Sequence, residues 1–315
     1  MSETVSADAT ADISVIIPIY RAATTINRAL ASVAAQTVAP REVIIVDDGS
    51  DDGTFKIAQA WSSRLGETKL IVLQEEHRGA GATRNKALSE ASCEFVAFLD
   101  ADDEWLPQKL ERSLAALNKT NSDIVSHNYI LVSGDQTSRV KCTDSYKKNT
   151  SAFVGYFLRG YISTSTVVAR RSTIMTAGGF DPGLLSGQDY ELWLAVLGLP
   201  DIRFHIFDEH LMRYHVVAGS ISSKIELRRQ CALAIAWRHA HKLHGYCRWP
   251  ATILALRIVI IHIQATIGFI SQSHYTDALR VCCMTTVNLF IAFRKLSYTP
   301  DPRPDFLQAK LINND

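Results

Sequence analysis

The sequence predicts an α/β fold, a mostly parallel sheet with helices on both faces, followed by a C-terminal helical segment. Three observations carry this. Short β-branched runs alternate with segments of helical spacing through the first hundred residues. Acidic and glycine-rich turns follow those runs instead of interrupting them. The charge balance then reverses, from 21 Lys+Arg against 27 Asp+Glu in residues 1–223 to 10 against 2 in residues 224–300. A chain of 315 residues with 47% hydrophobic content holds enough apolar surface for one large domain, residues 13–223, and an added element, residues 224–300.

Residues 1–12 are polar and acidic without an apolar core, so they read as a disordered N-terminus and not as a secretory signal. The catalytic part is therefore expected in the cytoplasm. Ile13 to Pro18 is a β-branched run ended by proline, and from Thr24 the apolar residues Ile26, Leu30 and Val33 recur at helical spacing. Val43 to Val46 runs into D-D-G-S-D-D-G-T and a helix near Phe55 to Trp61. Leu70 to Leu73 precedes a helix over Ala80 to Ala91, and Phe95 to Leu99 is the fourth strand. Alternation of this kind predicts right-handed crossovers, with ligands beyond the carboxyl ends of the strands. Pro18 to Tyr20, Asp47 and Asp48, the Gly79 loop, and Asp100 to Asp102 are thereby expected on one rim.

Further on, Pro107 begins a helix, Ile124 to Val132 is a strand, and Ser133 to Asn149 is polar and basic and reads as a mobile excursion. Thr164 to Ala169 returns to strand character, and Arg170 to Ala177 is a short helix ended by Gly178-Gly179. Residues 301–315 form a polar tail. The six cysteines are scattered, with no C-x-x-C pair, and predict neither disulfides nor zinc.

The chemistry concentrates where buried strands release acids. Phe95 to Leu99 runs into Asp100, Asp102 and Asp103. Crowded carboxylates are neutralised by a hard divalent cation that keeps positions open for phosphates, or they are a solvated cap for the helix after Pro107. The motif alone leaves the two readings level, and the rest of the chain favours the cation. Asp48 leaves the second strand where its carboxylate can accept the N–H of a nucleotide base, whereas Asp51 and Asp52 suit turn chemistry. The segment from His77 to Asn85 brings small residues, a helix start and Arg84 to the same rim, which suits a diphosphate. Asp189 opens a later helix, where an acid most commonly stabilises the helix N-terminus. Glu191 is expected to be solvated or paired, and His205, His210 and His215 to be structural.

The blocks I-I-P-I-Y, V-D-D-G-S-D-D-G-T, G-A-G-A-T-R-N-K-A-L, F-L-D-A-D-D-E-W-L-P-Q-K-L, A-G-G-F-D-P and G-Q-D-Y-E-L-W-L resemble the family 2 inverting glycosyltransferases of GT-A fold, and within them the bacterial enzymes of exopolysaccharide synthesis. The resemblance implies a nucleotide-sugar donor, here a UDP-hexose, and a saccharide or lipid-linked oligosaccharide acceptor. It places Pro18, Tyr20, Asp48, Gly79, Arg84, Asp100, Ala101 and Asp102 at the donor, with Mg²⁺ or Mn²⁺ on Asp102 and Asp100. It also implies Asp189 as base and Gln188 and Trp193 on the acceptor side. Three positions depart from the family pattern: Arg21 replaces the usual Asn, Gln188 the usual Glu, and Val217 a frequent His. Two other readings of the chain are a nucleotidyltransferase on a similar sheet and a catalytically silent nucleotide-sugar-binding partner of a polysaccharide assembly complex.

The tail is basic from Lys224 to Arg248, then apolar from Thr252 to Ile270 with Arg257, His262 and Gln264 inside the run, and apolar again from Ala278 to Phe293. An arginine within the run disfavours a span. A hairpin packed on protein and a segment lying on an anionic membrane surface both fit, with the enzyme peripheral at the cytoplasmic face. Nucleic acid is not expected, since no recognisable binding fold is present.

Overall fold

The structure is a computed structural model and describes residues 10–146, 151–216 and 224–296. It divides into two compact units, the first comprising residues 1–146, 161–183 and 188–217, the second 147–160, 184–187 and 218–315. The sequence had suggested a single cut at residue 223. Two short insertions instead join the C-terminal unit, and Phe153, Val154, Phe157 and Leu184 within them are buried.

In the first unit, strands β1 (Ala11–Ile19), β2 (Pro40–Asp47), β3 (Lys69–Gln74) and β4 (Phe95–Phe98) alternate with helices α1 (Ile26–Ala34), α2 (Thr54–Gln59) and α3 (Ala80–Glu90). Ile16 pairs in parallel with Ile44 on one side and Phe98 on the other. Val15, Ile16, Ile17, Val43 to Val46 and Val96 to Leu99 are all fully buried, as strands covered on both faces require. Strand β1 starts at Ala11, inside the stretch expected to be disordered.

Beyond β4 the sheet is mixed. After β5 (Glu104–Trp105) and α4 (Lys109–Thr120) come the hairpin of β6 (Ile124–Ser133) with β7 (Gln136–Val140) and a short α5 (Cys142–Ser145). Next are α6 (Ala152–Arg159), β8 (Val168–Arg170), α7 (Arg171–Thr176), α8 (Gln188–Leu197) and β9 (Phe204–His215). The order is β3-β2-β1-β4-β8-β6-β9-β5, with β7 on β6. Strand β8 is antiparallel to β4 and β6, and β5 to β9, so parallel pairing holds for the first four strands and recurs between β6 and β9. The expected mobile excursion contains β7 and α5. Strand β7 is exposed and polar, so it lacks the apolar alternation that would have revealed it. Strand β9 mixes charged and buried residues and was hidden for the same reason.

The second unit is helical, with α6, α9 (Ile225–His239), α10 (Pro250–Ser271) and α11 (Tyr275–Leu296). Phe153 of α6 stacks on Tyr246 at 4.7 Å. Helices α10 and α11 pack through Ala265, Phe269, Ala278 and Val281. The polar breaks in the apolar run are accounted for by this packing. Arg257 is buried and donates to the Leu158 carbonyl at 3.0 Å. His262 is also buried, bonded to the Ile258 carbonyl at 2.8 Å and to Asn288 at 3.2 Å, whereas Gln264 is exposed. Among the described residues, α10 is one helix long and apolar enough to cross a bilayer by length and composition. Residues 1–9, 147–150, 217–223 and 297–315, with the expectations attached to them, lie outside the described residues.

Candidate active site

The carboxyl ends of β1, β2 and β4 deliver Tyr20, Asp48 and Asp100 to one rim, and the turn after β3 adds residues 75–79. Asp48 is buried, and its two oxygens accept the backbone N–H groups of Arg78 at 2.7 Å and Gly79 at 2.9 Å. Gly79 sits at φ +88°, a left-handed conformation that lets the chain turn from Asp48 into α3 and that a side chain would strain. Arg21, where the family has Asn, also adopts a positive φ of 49°. Its guanidinium pairs with Asp51 at 3.0 and 2.9 Å, so Asp51 does more than shape a turn.

Helix α3 projects Arg84 inward. Its guanidinium donates to Asp100 and lies 5.2 Å from the centre of the Phe180 ring. Burial works against that charge, yet the carboxylates of Asp100, Asp189 and Asp102 outweigh it and hold the guanidinium protonated. Asp102 is pushed above the usual carboxylate range by burial and then by the charge of Asp100. Asp189, in the first turn of α8, is pushed up chiefly by burial; the Tyr190 N–H and Arg84 oppose this and Asp100 adds to it. The expected donor ligands and the expected base therefore share one electrostatic field. A divalent cation fits Asp102, whose crowding by Asp100 it would relieve, and Asp100 lies beside it with one oxygen on Arg84. No group of three or more His, Cys, Asp or Glu residues able to hold a metal occurs among the described residues.

Asp103 faces inward, and burial together with the charges of Asp100 and Asp102 pushes it well above the usual carboxylate range. It is 1% exposed; one carboxylate oxygen accepts the Ser165 hydroxyl at 2.6 Å and the other the His215 N–H at 3.3 Å. The Ser165 oxygen in turn accepts the Asp100 N–H at 3.1 Å, and the Ser165 carbonyl accepts the Trp105 indole at 2.7 Å. On the other side Arg28 of α1 donates to the Asp102 carbonyl. The acidic loop is thus clamped from β9, from the turn before β8 and from α1.

Pro18 lies within β1 in register with Val46, and Ala101 is buried in the main core. Gln188 lies against Gly81, where an added Cβ would stand 3.0 Å from its Cδ, so the small residues at the start of α3 make room for this side chain. Trp193 is a correction. It is fully buried, edge-on to Phe98 and Phe180 at 5.7 and 6.4 Å, with its indole N–H on Thr164 at 3.3 Å, and presents no surface to an acceptor. Glu191 is buried and engaged with a partner, the second of the two expectations for it. His215 has the structural role expected, with its ring 3.4 Å from Glu104.

The model of the family described as "Glycosyl transferase family 2" matches residues 14–175, just over half the chain. Over 233 residues the chain is 32% identical to WfgD of Escherichia coli, described as a UDP-Glc:alpha-D-GlcNAc-diphosphoundecaprenol beta-1,3-glucosyltransferase, covering 69% of this chain and 83% of that one. This chain belongs to glycosyl transferase family 2. The family 2 enzyme is also 31% identical over 214 residues to the amylovoran biosynthesis glycosyltransferase AmsB of Erwinia amylovora, across 65% of this chain and 69% of AmsB. Two solved structures share its GT-A-type fold. S. aureus TarS 1–349 in complex with UDP-GlcNAc superposes with TM-score 0.66 at 24% identity, covering 85% of this chain and 79% of that one. A mannosyltransferase of Pyrobaculum calidifontis in complex with GDP-Man and Mn²⁺ gives 0.63 at 20% identity, covering 93% and 82%.

Sequence reasoning gave no role to Arg28 or Ser165 in this glycosyltransferase, and it read Asp103 only as one of three crowded carboxylates. Ser165 is one of four consecutive hydroxyl residues, Ser163 to Thr166, and Arg28 lies on an amphipathic helix, so nothing local singles out either. Ser165→Ala leaves the Asp100 N–H and the Asp103 carboxylate without their shared partner. Because a shift of about 1 Å at a reacting centre can cost about 10²-fold, turnover is expected to fall by about 10- to 100-fold. Unchanged far-UV circular dichroism beside that loss checks that the fold survives.

Proposed function

We propose that this family 2 glycosyltransferase is an inverting, divalent-metal-dependent hexosyltransferase. It moves a hexose from a UDP-sugar to a hydroxyl of a lipid-linked saccharide in surface polysaccharide synthesis. The observation that supports this most is the shared field of Arg84, Asp100, Asp102 and Asp189, the residues read as donor ligands and base. The diphosphate named in the WfgD description and the UDP-GlcNAc bound to TarS support the donor and acceptor classes.

Asp102, with Asp100, would hold Mg²⁺ or Mn²⁺, which when bound neutralises charge on the departing nucleoside diphosphate. Arg84, kept cationic by the three acids, adds a fixed positive charge beside that leaving group. Asp189 takes the proton of the acceptor hydroxyl as it attacks. Its raised proton affinity suits it to that task better than an ordinary carboxylate. A single base fits one in-line displacement and hence inversion.

The second unit is the proposed membrane contact. Leu256, Ile263, Ile267 and Ile270 of α10 and Tyr275, Leu279, Val287 and Phe290 of α11 are exposed. Lys224, Arg228, Arg248 and Arg280 are exposed in the same unit. Arg257 and His262 are committed to protein partners, which favours a helix lying on an anionic cytoplasmic leaflet over one crossing it.

Turnover of a panel of UDP-sugars with Mn²⁺ tests the reaction. Activity with at least one donor, lost on adding EDTA and lost in Asp102→Asn, is expected; turnover unchanged by EDTA refutes the metal. Asp189→Asn should keep UDP affinity and lower kcat by about 10²- to 10⁴-fold. Since the folded pKa of Asp189 is raised, its basic form is lost on acidification sooner than for a free carboxylate. The acid limb of kcat/KM should accordingly lie above the ordinary carboxylate range of about 4. On membranes, electrostatic attraction of about 1 kcal/mol per basic residue should bring the protein down with anionic vesicles but not neutral ones. Release by carbonate is expected, and a need for detergent indicates a span instead.

A further inference from the structure

The two groups assigned to the nucleotide base are already engaged by one side chain of the same chain. The His77 imidazole stacks on the Tyr20 ring with centroids 4.4 Å apart and planes 29° from parallel. Its Nδ1 lies 2.9 Å from an Asp48 carboxylate oxygen and 3.2 Å from the Asp48 carbonyl. A pyrimidine base offers the same features, a flat π-face and a ring N–H. We propose that His77 is an internal surrogate for the base, and that the donor binds by exchanging with it.

The geometry favours exchange over joint occupancy. The Asp48 side chain is 4% exposed, closed in by His77 and by the N–H groups of Arg78 and Gly79. A base N–H reaches that carboxylate once His77 has left it. The His77 side chain is 59% exposed, so its swing into solvent meets no packed core. The two backbone N–H bonds to Asp48 do not depend on the imidazole, and they keep the turn anchored while the ring departs. Tyr20 stays oriented as well, because the Arg21 guanidinium lies 5.4 Å from its ring centre and is fixed by Asp51. The pocket is preorganised, and the surrogate tunes how tightly it holds a donor. A site available for only part of the time binds with an affinity reduced by that fraction. An exposed hydrogen-bonded pair together with one aromatic stack is worth a factor of about 3 to 30.

This inference rests on the reading of Tyr20 and Asp48 as base contacts, and the test separates the two. UDP binding to the full chain is measured by calorimetry for the wild type, His77→Ala, His77→Phe and Tyr20→Ala. Exchange predicts that His77→Ala binds UDP about 3- to 30-fold more tightly than wild type. His77→Phe, which keeps the stack but loses the bond to Asp48, should fall between them. Equal or weaker binding by His77→Ala, with Tyr20→Ala impaired, overturns the exchange and leaves the base pocket standing. Unchanged binding by Tyr20→Ala overturns the pocket and the exchange with it.

Discussion

Like charges crowded at the end of a buried strand are the constraint on which the rest of this structure depends. Strand β4 is apolar on both faces and releases Asp100, Asp102 and Asp103 within four residues. Coulomb repulsion between such close carboxylates grows as water is excluded. The fold answers by treating the three differently. Asp100 is given Arg84, Asp103 is turned inward onto Ser165 and the His215 amide although burial and both neighbours raise its proton affinity, and Asp102 stays half-buried beside Asp100. An acid left with raised proton affinity beside an open rim is where a cation gains most.

That division explains why the second half of the sheet is mixed. A parallel extension past β4 would need further crossover helices and would carry its own strand ends to the rim. Antiparallel β8 instead places the turn containing Ser165 directly beside Asp100, and β9 brings the His215 amide to Asp103. The same turn receives the Trp105 indole, so the start of the loop and its exit are tied to one residue. Catalytic geometry is precise when the groups that bind are themselves held by a second layer of hydrogen bonds. Here that layer comes from three separate elements.

The C-terminal unit follows another logic. Arg257 and His262 within a run of apolar residues look costly until their partners are seen, the Leu158 carbonyl for one and Ile258 with Asn288 for the other. A buried cation that satisfies a carbonyl at a helix end is tolerated where an unpaired one is not. Most of the large apolar residues left exposed in this unit lie on α10 and α11, and Lys224, Arg228, Arg248 and Arg280 are exposed in the same unit.

The sequence alone determined the four leading strands, their helices and the rim on which Tyr20, Asp48, Gly79, Arg84, Asp100 and Asp102 meet. Period, turn chemistry and burial on both faces are local properties, readable over ten residues. It also carried the family, through motifs whose order along the chain survives. Only the tertiary structure decided that Trp193 faces the core, that Asp103 turns inward onto Ser165 while Asp102 stays half-buried, that His77 lies on Tyr20, and that residues 151–160 join the C-terminal unit. Each of these is a choice of partner, and the partners of Asp103 lie 62 and 112 residues away. A carboxylate next to another carboxylate carries no local mark of which way it will turn. That is set by whichever distant hydroxyl or amide the packed sheet brings within about 3 Å of it.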